Sequence, residues 1–123
     1  MKIESYPLYW PEGWKRTPAN HRAANNQFKG TLGKYREDLY DELGRLWAKK
    51  QIVSSNISTR GDGKLYATFR EPSDPGVAVY FEWRDKQMCF ACDKFVTVAQ
   101  NIRAITLTIG AIRAGSNAGE PPT

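Results

Sequence analysis

From about Asn26 onward the apolar residues fall into step: Phe28, Leu32, Tyr35, Leu39, Leu43, Leu46 and Trp47 recur every three or four positions. This spacing predicts an amphipathic helix of about six turns. Gly30, Gly33 and Gly44 each weaken it by about 1 kcal/mol relative to Ala, so packing rather than propensity has to hold it. The period then shortens. QIVSSNIST and KLYATFR, separated by the turn-forming RGDGK, read as one hairpin with a Gly-containing loop. EPSDPG interrupts the pattern, and VAVYFEW and QMCFACD, joined by the polar RDK, read as a second hairpin. Its first strand puts Val77, Val79, Phe81 and Trp83 on a core face and Ala78, Tyr80 and Glu82 on the other. A second helix follows, with Thr97 and Gln100 in capping-box spacing and Val98, Ile102, Ile105, Ile109 and Ile112 along one stripe. Arg113 and Gly115 suit its last turn and C-cap.

Residues 1–25 show no sustained period and contain Pro7, Pro11, Gly13 and Pro18, which favours an extended, irregular arm. The expected fold is one α+β domain over residues 26–114, with the arm (1–25) packed on it and a flexible tail at 115–123. Short strand connections predict a mostly antiparallel four-stranded sheet, and the two helices cover one of its faces in a two-layer domain of order α-β-β-β-β-α. A length of 123 residues with 41% hydrophobic side chains suits one modest core.

Charge changes the picture at one end only. Residues 1–36 hold Lys2, Lys15, Arg16, Arg22, Lys29, Lys34 and Arg36 against Glu4 and Glu12, and seven minus two is the whole net charge of +5. The remaining residues balance at eleven basic and eleven acidic. The same stretch carries Tyr9, Trp10 and Trp14, so it combines Coulomb attraction for phosphate or carboxylate with flat rings for stacking or pocket filling. Lys15, Arg16, Arg22 and Lys29 are the candidate contacts for nucleic acid, DNA or RNA. Tyr9, Trp10 and Trp14 are either partner contacts or aromatics that cap the core.

Catalytic constellations find little support. His21 is the one histidine and has no nucleophile motif near it. Cys89 and Cys92 have C-x-x-C spacing, but three residues along a strand point them to opposite faces, which argues against a redox pair or a zinc site. Asp74, Glu82 and Arg84 faintly match a metal-dependent nuclease core, although Asp74 precedes Pro-Gly and reads better as a turn former. The Arg60–Asp62 tripeptide reads as a chance turn, and no Gly-rich phosphate loop has the required spacing. No catalytic residue, cofactor or metal is expected. Helix, antiparallel strands, helix is also the order of double-stranded RNA-binding domains, but the second helix start, DKFVTVAQNIRA, has Lys94 and Arg103 without a lysine cluster, and the expected sheet has one strand too many.

The segments YPLYWPEGWKRTP, DPGVAVYFEW, FACDKF and NIRAI together resemble a family of small phage- and prophage-encoded proteins. In some of these the unit forms the N-terminal portion of a longer chain that ends in a J domain. The resemblance covers most of residues 6–113 and implies a phage accessory protein acting inside a bacterial cell. This chain has no His-Pro-Asp, so the chaperone-stimulating activity of a J domain does not carry over. With no run near the roughly 18 apolar residues of a membrane span and no secretory-signal pattern, the expected location is the cytoplasm of the host. The leading expectation is a non-enzymatic module whose basic N-terminal face contacts nucleic acid. The alternative is an adaptor or inhibitor that docks on an acidic host protein. Either hairpin can offer an edge strand to a second copy, so a homodimer is also open.

Overall fold

A computed structural model describes residues 2–58 and 69–115. Their elements run α1 (Leu32–Arg45), β1 (Lys49–Ser55), β2 (Val77–Trp83), β3 (Lys86–Cys92) and α2 (Val98–Ala114), preceded by a short 3-10 turn at Ala19–His21. The class is α+β, with an antiparallel three-stranded sheet in the order β1-β2-β3. The expected fourth strand, KLYATFR, lies outside the described residues except for Phe69 and Arg70, which are not in strand. The expected flexible tail likewise lies outside them from residue 116 on. QIVSS pairs with β2, across a gap of more than twenty residues.

The first helix is shorter than its apolar period suggests. Asn25 holds a turn through Gln27 N–H to its side chain and Phe28 N–H to its carbonyl. Thr31 then caps the helix by accepting from Lys34 N–H. Phe28 still reaches the core, edge-on to Phe95 at 5.6 Å, but from a turn and not from the helix. Gly30 is required there: a Cβ would lie 2.5 Å from the Tyr35 ring, whose hydroxyl accepts from Gly30 N–H. In α2 Thr97 caps the helix by accepting from Gln100 N–H, but the expected box is not closed, because the Gln100 side chain binds the Asn25 N–H and carbonyl of the arm.

Both helices lie on one face of the sheet. Leu39 and Leu43 from α1 and Ile102, Ile105 and Ile109 from α2 meet Val53, Val77, Val79 and Phe81, all buried. Arg113 and Arg103 on α2 reach Glu42 and Asp38 on α1, tying the helices together. The opposite sheet face carries Ser54, Ala78 and Tyr80, and the arm covers it. Tyr9 N–H donates to Ser54 Oγ at 2.8 Å, Tyr80 OH donates to the Tyr9 carbonyl, and the two tyrosine rings meet edge-on at 6.0 Å. Leu8 N–H is bound by Asn56 Oδ1. Burial of Tyr80 pushes its hydroxyl up to about 12. The arm is thus a third layer over the sheet.

Candidate binding surface

The course of the arm after Tyr9 is set by a turn. Pro11, Glu12 and Gly13 lead into Trp14, whose N–H donates to the Pro11 carbonyl, and Gly13 takes a φ of 85°, which a residue with a Cβ rarely adopts. The Trp10 indole N–H closes the turn from the other side by donating to the Trp14 carbonyl at 2.8 Å. This arrangement leaves Trp14 41% exposed and Lys15 beside it exposed as well.

Arg16 turns the other way. Its guanidinium lies 4.4 Å over the Trp10 ring, donates from Nε to Asp93 Oδ2 at 2.8 Å and from Nη2 to Asp74 Oδ1. Arg22 joins the same pair of carboxylates at 3.5 and 3.6 Å and donates from Nε to the Asp93 backbone carbonyl at 3.0 Å. Thr17 N–H completes the set on Asp93 at 2.9 Å. Two arginines of the arm and two aspartates of the domain form one ionic latch. The Asp93 side chain is 3% exposed and that of Arg22 9%. Burial on its own would raise the Asp93 carboxyl, but the hydrogen bonds from Arg16 and Thr17 outweigh it and hold the group below its ordinary value. The Arg16 guanidinium, although desolvated, is raised by the same two aspartates. Beyond the latch, Ala23 pairs with Phe95 in a single parallel bridge, with its N–H on the Lys94 carbonyl.

Two further residues build the floor of the latch. Asp74 folds back on its own turn, where its Oδ1 accepts from Gly76 N–H at 3.1 Å. Gly76 keeps this corner close: a Cβ would sit 3.1–3.3 Å from the side chains of Leu8, Asp74 and Arg16, which would have to give by a few tenths of an ångström. Asn101, fully buried on α2, binds both loops that carry the aspartates. Its Nδ2 donates to the Pro75 and Phe95 carbonyls at 2.9 and 3.1 Å, and its Oδ1 accepts from Phe95 N–H at 3.0 Å. Neither Asp93 nor Asn101 stands out in the sequence, because their partners lie up to 77 positions away. The one available signal is a polar residue within the apolar stripe of α2.

The sequence candidates therefore separate. Arg16 and Arg22 come together, but on internal carboxylates. Tyr9 and Trp10 serve the arm's packing. Trp14 and Lys15 face outward, and Lys29 is exposed on the turn before α1. His21 is exposed, as a loop histidine would be. The nuclease pattern does not assemble: Asp74 precedes β2 and belongs to the latch, whereas Glu82 lies near the far end of that strand and meets Lys50 at 3.3 Å. Among the described residues no cluster of three or more His, Cys, Asp or Glu side chains could hold a metal. Cys89 and Cys92 are both free on opposite sheet faces, and burial pushes the Cys92 thiol up, away from the reactive thiolate.

An open groove of about 330 Å³ lies between β3 and α2. It is lined by Phe90, Cys92, Phe95, Ala104 and Ile105, with Trp14 and Lys94 among its walls. Among the described residues no helix is long and apolar enough to cross a membrane. No family model, curated protein or solved structure matches the chain.

Proposed function

We propose that the protein is a non-enzymatic binding module that contacts nucleic acid through the outward turn at Trp14 and Lys15, with Lys29 as a further cation. The observation that carries this reading is an exposed indole next to an exposed lysine on a turn fixed by the latch: a ring for base stacking and a charge for phosphate, held without a partner's help. The order α-β-β-β-α of the described elements adds a fold-level analogy with double-stranded RNA-binding domains. The contact has to differ from theirs, because Glu71 occupies the start of α2 by accepting from Val98 N–H, and Arg103 is turned toward Asp38 and the Tyr35 ring. The resemblance to phage-encoded proteins supports reading such a module as a phage accessory factor of a bacterial cytoplasm.

Fluorescence anisotropy with labelled RNA duplex, DNA duplex and single strand over a salt series tests the proposal. The expected result is a log-linear loss of affinity with salt, a slope shallower by about 0.9 in Lys15→Ala, and weaker single-strand binding by about 1–3 kcal/mol in Trp14→Ala. Affinity indifferent to salt and to both substitutions overturns it. Arg16 and Arg22 are unsuited to this test, since their loss would loosen the arm.

The groove behind Trp14 favours a second reading, an adaptor that seats an apolar side chain of an acidic protein there with Trp14 as anchor. Retention of a partner after nuclease treatment, and its loss in Trp14→Ala, distinguishes this from nucleic-acid binding.

A further inference from the structure

Among the described residues, the two edges of the sheet are built differently. At β1 a bulge between Lys49 and Ile52 breaks the register, Lys50 takes a φ of 54°, and both lysines are exposed. Ser55 N–H at the end of that edge is taken by the Ser5 carbonyl of the arm. These are the devices by which natural sheets protect an edge. β3 has only an exposed lysine, Lys86, at its turn end. Its register with β2 is unbroken from Cys92 to Lys86, and Gln87 to Cys92 contain neither charge nor proline.

The turn at Arg84 and Asp85, both at positive φ, sets which backbone groups of β3 are free. In a two-residue hairpin the flanking pair, here Trp83 and Lys86, exchanges hydrogen bonds, and bonded and non-bonded pairs then alternate. Met88, Phe90 and Cys92 consequently bond inward to β2. Gln87, Cys89 and Ala91 point their N–H and C=O outward. The same parity, carried across β2, turns Ser55 of β1 outward, where its bond to Ser5 is found. Among the described residues, no backbone group outside the sheet reaches Gln87, Cys89 or Ala91.

We infer that this edge pairs with β3 of a second copy, as a two-fold antiparallel extension centred on Cys89. The outward residues are symmetric about that position, so Cys89 meets its own equivalent and Gln87 meets Ala91 of the other copy, giving six backbone hydrogen bonds. Charge selects a copy of the chain over an acidic or nucleic-acid occupant. The only charged residues of α2, Arg103 and Arg113, are both engaged with α1, and the outer face of α2 beside the edge is formed by Ala104, Leu107, Thr108 and Ala111, with Leu107 46% exposed. A chain of net charge +5 thus has, between Lys86 at one end and Lys94 beside Trp14 at the other, a strip free of charge through which two copies can meet. The strip is about 25 Å long and, spanning strand edge and helix, about 20 Å wide, so two copies bury on the order of 1,000 Å², the threshold of a specific interface. Each copy carries a net charge of +5, so added salt screens their mutual repulsion and strengthens the dimer, opposite to its effect on nucleic-acid binding.

Sedimentation equilibrium at 10–100 µM tests the pairing. The expected mass is 27.8 kDa, twice 13.9 kDa, with association tightening from about 0.05 to about 0.5 M salt. Ala91→Pro removes an outward N–H while sparing the β2 ladder, and Leu107→Glu charges the helix face; each is expected to weaken association by at least about tenfold. A monomer at both salts, or a dimer indifferent to Ala91→Pro and Leu107→Glu, overturns the inference.

Discussion

Lys15 and Arg16 are adjacent in the chain, equal in charge and opposite in use. Lys15 stands with Trp14 on a turn that faces solvent, while Arg16 reverses over Trp10 and binds Asp74 and Asp93. The difference teaches that an excess of charge in a sequence is not yet a field offered to a partner. Arg22, which the sequence groups with Lys15, proves nearly buried, and its charge is answered inside the fold. The arginines fasten the arm, and the fastened arm presents the lysine. A planar guanidinium suits the first task because it can hold two carboxylates and a ring face at once, which an ammonium cannot.

Substitutions can break this division. The largest effect is expected at Asn101. Replacing it with Ala leaves the Pro75 and Phe95 backbone groups buried without partners and should cost about 3 kcal/mol, read as a lower urea midpoint with an unchanged slope. Asp93→Asn comes next. It removes the charge that Arg16 and Arg22 share, and because Arg16 is partly open to solvent the cost is discounted to about 1–2 kcal/mol. Proteolysis within the arm should quicken in that variant while the sheet stays resistant. If Arg16 and Arg22 were solvated contacts, neither reading would move.

Acid tests the same contact by another route. The Asp93 carboxyl is held below its ordinary value of 3.8. Its contribution to stability is therefore complete above that value and is lost as pH falls through the lower folded value. Stability should be flat with respect to this group from pH 7 to about 5, then fall below about pH 4. Asp93→Asn should flatten part of that acid limb. The smallest expected effect on folding is at Lys15→Ala, within about 0.5 kcal/mol, so any loss of nucleic-acid affinity there reports contact and not unfolding.

What was legible in the sequence follows the range of the interactions. The cap at Thr97, the stripe of α2 from Val98 to Ile109 and the two faces of the β2–β3 hairpin depend on neighbours a few residues apart and are found where the pattern placed them, whereas Ile112, expected to continue the stripe, is 39% exposed. Phe28 shows how a local pattern misleads: it keeps the helical period, but the Asn25 turn and the Thr31 cap start the helix after it. The pairing of β1 with β2 was not legible, since β1 meets a strand beyond a long connection. The latch was hidden for the same reason. Arg16 and Arg22 were visible as cations, but nothing local links them to carboxylates 58 and 77 positions away from Arg16. Trp10 and Trp14 look alike in sequence and separate only when one ring lies beneath Arg16 and the other, 41% exposed, stands at the wall of the groove.

Hydrogen exchange at the amides of Leu8, Tyr9 and Thr17 measures the fastened arm most directly, since these N–H groups bind Asn56, Ser54 and Asp93 respectively. The account predicts that all three are protected to a degree comparable with the sheet and that Asp93→Asn releases Thr17 first. Exchange of all three at the rate of an unstructured peptide would contradict it.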